Sequence, residues 1–183
     1  MTGFRKGLLT GAGGAVLAIL LVIAAIVAFG LYDFSADTPH ASLTRDLIAA
    51  TRERAIARES ASIRVPRLDN PDRLREGAEH YDAMCTGCHL APDLRENEMR
   101  PGMNPKPPIL AQLPPGDPRR QFWIVKHGIK MTGMPAWGAT HSDDEIWNMV
   151  ALLQRLPKLS PKDYRALVAS AGGHHEHDMD MDH

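Results

Sequence analysis

Cys85-Thr86-Gly87-Cys88-His89 places two thiols three positions apart, with an imidazole directly after the second. C-x-x-C-H is the signature of covalent c-type haem attachment. On one helical turn the two thiols reach the two vinyl groups along one edge of a haem, and His89 then lies beneath the iron. Two other uses of the pair fit less well. A redox disulfide of thioredoxin type follows a strand and needs no His after it. A structural zinc site needs a fourth ligand with its own motif, and the sequence offers only scattered His residues.

A haem iron that shuttles electrons takes a second axial ligand. Downstream of His89 the stretch Ile129-Lys130-Met131-Thr132-Gly133-Met134-Pro135-Ala136-Trp137-Gly138 supplies two thioethers in a loop rich in Gly and Pro. Pro135 fixes the backbone beside Met134, so Met134 is the expected ligand, and Met131 reads as a gap-filling side chain.

The elements around these motifs are helical. Asn70-Pro71 is an N-cap followed by Pro in the first turn, opening a helix to about Met84. Residues 91–119 are too rich in proline for long regular structure. Gln121 to His127 reads as a short helix closed by Gly128. Ser142-x-x-Glu145 is a capping box for a helix ending before Pro157, and Ser160-Pro161 opens a last short helix, Lys162 to Ala169. No strand-like alternation and no internal repeat is present, so the expected fold class is all-α.

Upstream, Gly7 to Tyr32 carries no charge over about 26 residues, enough at about 1.5 Å per residue to cross a hydrocarbon core of about 30 Å. A cleaved signal peptide has a shorter apolar region and an A-x-A-like site, which is poor here. The expectation is an uncleaved single membrane span. Arg5 and Lys6 precede it, and Arg45 and Arg52 follow it, so charge alone orients it weakly. Ala41 to Ile63 lacks Pro and Gly and reads as a helix with an incomplete apolar stripe (Leu43, Leu47, Ile48, Ile56, Ile63). It is either a solvated spacer or a helix lying on the membrane surface or on the following domain.

Composition narrows the function classes. A net charge of -1, from 21 Lys+Arg against 22 Asp+Glu, excludes the basic stripe of a nucleic-acid binder. Two cysteines exclude a disulfide scaffold, and 5% aromatic residues leave a thin core unless a bound group fills it. The tail His174 to His183 holds four His, two Met and four acids. It reads as a solvated, disordered segment, or as a weak Cu/Zn site by donor chemistry.

The span from about Asn70 to Pro157 resembles a class I c-type cytochrome, on the helix running into C-T-G-C-H, on M-T-G-M-P-A-W-G, and on the capped helix ending in Leu156-Pro157. The resemblance implies an all-α, cytochrome c-like haem domain around one covalently attached haem c, held by Cys85 and Cys88 and ligated by His89 and Met134. It implies that the first domain helix crosses the last at Gly77, with Tyr81 packed across the crossing and Trp147 or Leu152 near the place of the usual answering aromatic. It further implies that the Pro108 carbonyl, in Pro108-Ile109-Leu110, accepts the His89 N–H. Trp123 and Trp137 are read as propionate donors or as core packing, equally. His127 is read as a helix-end neighbour, and His80 and His141 as surface residues.

The expected organisation is an anchor over 1–34, a juxtamembrane helix or linker over 35–69, a haem domain over 70–171 and a tail over 172–183. The expected function is non-enzymatic: carrying single electrons between redox proteins at a bacterial inner membrane, haem domain in the periplasm, in a respiratory chain. The alternatives are a fixed haem subunit of a larger membrane oxidoreductase and, with Met134 displaced, a haem-based sensor or peroxidase.

Overall fold

The computed structural model describes residues 2–178. All regular structure among them is helical: α1 (Thr2–Phe29), α2 (Ser42–Ser60), α3 (Pro71–Met84), α4 (Thr86–His89), α5 (Pro118–His127), α6 (Asp143–Leu153) and α7 (Pro161–Asp178). Short 3-10 turns interrupt the proline-rich loop at Arg100–Gly102 and Leu110–Gln112. The chain divides into two units, one ending at Thr38 and one beginning at Pro39.

The first unit is α1 and the residues after it. Leu9–Phe29 is a stretch of 21 residues with a mean hydropathy of 2.8, long and apolar enough to cross a membrane. None of the residues in this stretch is buried.

In the second unit, local signals set the helix starts. Asn70 Oδ1 accepts from the Asp72 N–H at 2.9 Å, and Ser142 and Glu145 make a reciprocal capping box. α5 begins three residues before the expected Gln121, because Asp117-Pro118 repeats the cap-then-proline signal and Asp117 accepts from the Arg119 N–H.

The core is the crossing of α3 and α6. At Gly77 an added Cβ would stand 2.0 Å from the Asn148 carbonyl oxygen, so the helices touch backbone to backbone there and only glycine fits. Tyr81 is 1% exposed and its hydroxyl donates to the Leu90 carbonyl at 2.7 Å. The ring answering Tyr81 is Tyr164 of α7, edge-on at 6.4 Å. Leu152 of α6 packs in the same cluster as Tyr81, as expected, whereas Trp147 stacks on Phe122 of α5 with centroids 4.2 Å apart.

One open reading is decided and one expectation changes. Of the readings of the helix within 35–69, the structure shows the docked one: α2 lies along α5 in the second unit, Ile56 is 3% exposed, Ser60 is buried, and Glu53 pairs with Arg120. The irregular stretch between α1 and α2 is 30–41, and a second, 61–70, joins α2 to α3. The last helix does not stop at Ala169 but continues through Gly172-Gly173 to Asp178, since two glycines raise the cost of a helix without removing a hydrogen-bond donor, as proline does. The expected disordered tail over 172–183 is therefore helical as far as Asp178, and residues 179–183, with the side chains from Gly172 onward that carry the Cu/Zn expectation, lie outside the described residues.

Candidate functional site

The single turn of α4 puts the motif on the cavity wall. The N–H groups of Cys88 and His89 both donate to the Cys85 carbonyl, at 3.1 and 2.8 Å. Cys85, Cys88 and His89 all line one cavity of about 320 Å³, together with Pro108, Met134 and Trp137. Among the site residues expected from sequence, only Trp123 is absent from that wall. It sits over His127, with ring centroids 5.0 Å apart, in a separate surface depression shared with Glu59 and Lys126. On α5 the residues facing the cavity are Ile124 and Val125.

His89 is held in a defined tautomer. Its Nδ1 lies 2.9 Å from the Pro108 carbonyl oxygen, which can only accept, so Nδ1 carries the proton and Nε2 keeps a lone pair. Burial holds the imidazole below its ordinary value; the Pro108 hydrogen bond works against this and the Arg100 charge works with it. A neutral imidazole with Nε2 unprotonated is the form that binds a metal. Burial likewise pushes the Cys85 thiol up to about 12, helped by Cys88. A zinc site needs thiolates, which this environment disfavours, and among the described residues no three His, Cys, Asp or Glu stand together to hold an ion.

The two methionines are separated by the loop's own folding. Gly128 adopts φ +65°, and an added Cβ would stand 2.7 Å from the carbonyl oxygens of Met134 and Pro135. That close approach lets the loop turn back on the end of α5. The Thr132 hydroxyl donates to the Ile129 carbonyl and accepts from the Met134 N–H, at 2.7 and 3.2 Å. Met134 is half-buried on the cavity wall, whereas Met131 is 74% exposed and outside it.

Two features escape sequence reading. Arg100 is 4% exposed; its guanidinium donates to the carbonyls of Cys88 and Pro107 at 3.0 and 2.8 Å and pairs with Glu96 at 3.0 Å. It ties the motif to the segment that holds His89. Asn97 adds a bond from its amide to the Gly87 carbonyl at 2.7 Å. The only sequence signal was the Glu96-to-Arg100 spacing of a helical ion pair, in a segment with too much proline to be a helix. The second feature is α2, which brings Arg52, Glu53 and Ile56 to the same cavity.

The donor set fits a c-type haem. An apolar cavity is bounded by two thiols on one turn, an imidazole with its Nε2 available and one thioether. Residues 72–153, from α3 through α6, match the model of a family described as cytochrome c oxidase, cbb3-type, subunit III. No curated protein and no solved structure gives a significant match.

Proposed function

Residues 72–153 form a class I c-type cytochrome domain, a haem c electron-transfer module, and from that premise we propose that the chain is a membrane-anchored monohaem carrier of single electrons. The observation that carries this reading is one cavity containing Cys85, Cys88, His89 with Nδ1 spent on Pro108, and Met134.

In this reading Cys85 and Cys88 would hold one haem through thioether bonds, and His89 Nε2 and Met134 Sδ would bind its iron. The haem iron supplies a one-electron couple, and thioether ligation sets it at high potential. The protein's own part is to orient His89 through Pro108, to offer Met134 as the second donor and to exclude water with Ile124, Val125 and Leu110. A group held by both His89 and Met134 would leave no coordination site for a substrate, so the chain would pass electrons without catalysing a reaction.

The anchor is α1, kept uncleaved, with the N-terminus in the cytoplasm and the haem domain in the periplasm of a bacterial inner membrane. Arg5 and Lys6 ahead of the span support this orientation, as does the extracytoplasmic maturation of the cytochromes this domain resembles. The partners are a donor and an acceptor redox protein at that membrane, in a respiratory chain. A second reading is favoured by one finding: the matched family is described as an oxidase subunit. The chain would then be a haem subunit held in a larger membrane oxidoreductase, with the same residues in the same roles.

The ligand set is tested by substitution. Met134→Ala is expected to keep thioether-linked haem, read by a pyridine haemochrome spectrum, and to lose the weak thioether-to-iron charge-transfer band at the red end of the visible. Met131→Ala is expected to keep it. The reverse pattern defeats the assignment. Native mass after mild detergent extraction separates the two readings: a lone chain supports the carrier, and a stable assembly with other redox proteins supports the subunit.

A further inference from the structure

The haem cavity is mostly apolar, and its charged wall residues are Arg52, Glu53 and Lys106. A c-type haem carries two propionate carboxylates on the side of the macrocycle opposite its vinyl-bearing edge. With the vinyl edge held at Cys85 and Cys88, the carboxylates point away from the motif. A carboxylate at an apolar wall must be paired or must reach water. Lys106 is two residues from Pro108, which holds His89, and its Nζ is 3.0 Å from Glu96, the acid that also pairs with Arg100. It belongs to the motif side of the cavity. Arg52 comes from α2, which packs along α5 and lies outside the matched span of 72–153.

We infer that Arg52 is the counter-ion of a haem propionate, and that α2 is therefore a wall of the haem site; the inference rests on the haem reading above. Ile56, one turn further on, is 3% exposed and lines the same cavity, so packing sets which face of α2 is presented. Among the described residues Arg52 is held by Glu53, its neighbour in sequence, at 3.2 Å, and the Glu53 side chain is half exposed. Such a pair contributes little. Glu53 also pairs with Arg120, so it keeps a partner when Arg52 turns to the cavity. A guanidinium fork matches a carboxylate in two parallel hydrogen bonds. Its charge favours the ionised propionate. Because oxidation adds a positive charge at the iron, the same cation also disfavours the oxidised state.

The experiment uses the full chain, haem-loaded and in detergent, with Arg52→Gln, Arg52→Lys and Lys106→Gln. The oxidised-to-reduced ratio is followed at fixed ambient potential from pH 5 to 8, with redox-difference infrared spectra of the carboxylate bands. Arg52→Gln is expected to move the ratio about tenfold toward the oxidised form, equivalent to about 59 mV for one electron. It is also expected to raise the pH of the propionate-linked inflection and to shift a carboxylate band. Arg52→Lys is expected to retain most of the potential while still shifting the band, because an ammonium cannot fork. Lys106→Gln is expected to leave the inflection in place. A wild-type profile and band in Arg52→Gln, or an inflection moved by Lys106→Gln alone, overturns the inference. Should Arg52→Gln not accumulate, an unchanged carboxylate band in Arg52→Lys overturns it. A wild-type chain whose haemochrome spectrum shows no thioether-linked haem refutes the haem reading itself, a failure visible before any variant is compared.

Discussion

Arg100 is a buried cation bonded to the carbonyl of Cys88, next to His89, and in the haem reading its placement bears on both stability and potential. Arginine is almost never fully buried unless paired, and here two carbonyls and Glu96 meet the guanidinium. Arg100→Met leaves the Cys88 and Pro107 carbonyls without this donor. The expected cost is about 2–3 kcal/mol, in the range for hydrogen bonds to a charged group, read by denaturant titration of the haem-loaded protein. The potential is expected to fall as well, because a positive charge near the iron is lost. Unchanged stability together with an unchanged potential would show that Arg100 is no strap. The residues that gather on the cavity wall, Cys85, Cys88, His89 and Met134, were legible in the sequence, because C-T-G-C-H and Met134-Pro135 are local patterns. Arg100 was not, since its burial depends on carbonyls of a segment twelve residues away.

At the scale of elements, the helices whose ends are written in adjacent residues were readable, and the one placed by distant contacts was not. Asn70-Pro71 and the Ser142–Glu145 box act within a turn of themselves. α2 carries no comparable signal. Its apolar residues split into an exposed group (Leu43, Leu47 and Ile48) and the buried Ile56, and its ion pair with Arg120 spans 67 positions. Hence spacer and docked helix were equally open until the packing was seen. Trp123 failed for a related reason: an indole near a pocket in sequence can face either side of its helix, and α5 turns Ile124 and Val125 inward instead. The docking of α2 is tested by Ile56→Ala, expected to destabilise the haem-loaded protein by about 2–4 kcal/mol, as deletion of buried methyls does. Leu47→Ala, at a position 60% exposed, is expected to stay within about 0.5 kcal/mol. Equal effects for the two variants would mean that α2 does not pack as described.

At the scale of the whole molecule, the matched cytochrome domain covers α3 to α6, while α1, α2 and α7 lie outside it. The apolar stretch Leu9–Phe29 is long for a secretion signal, and its retention predicts a mature protein that keeps this stretch. Intact-mass measurement of membrane-extracted protein checks this, and a chain beginning after Phe29 would remove the anchor from the account. The Tyr81–Tyr164 contact joins α7 to the core and α2 packs along α5, so the domain extends past the matched residues at both of its ends.

Because α2 is docked, the irregular segment between the anchor and the haem domain is the twelve residues 30–41, about a third as long as a spacer over 35–69 would have been. Fully extended, twelve residues reach about 40 Å; as a flexible coil they span on the order of 20 Å. In the proposed anchored carrier, a partner embedded in the same bilayer within that radius would meet the haem at an effective concentration in the millimolar range. Tight recognition is then unnecessary: a dissociation constant near millimolar still gives frequent encounters, and weak binding lets each partner leave quickly once its electron has passed.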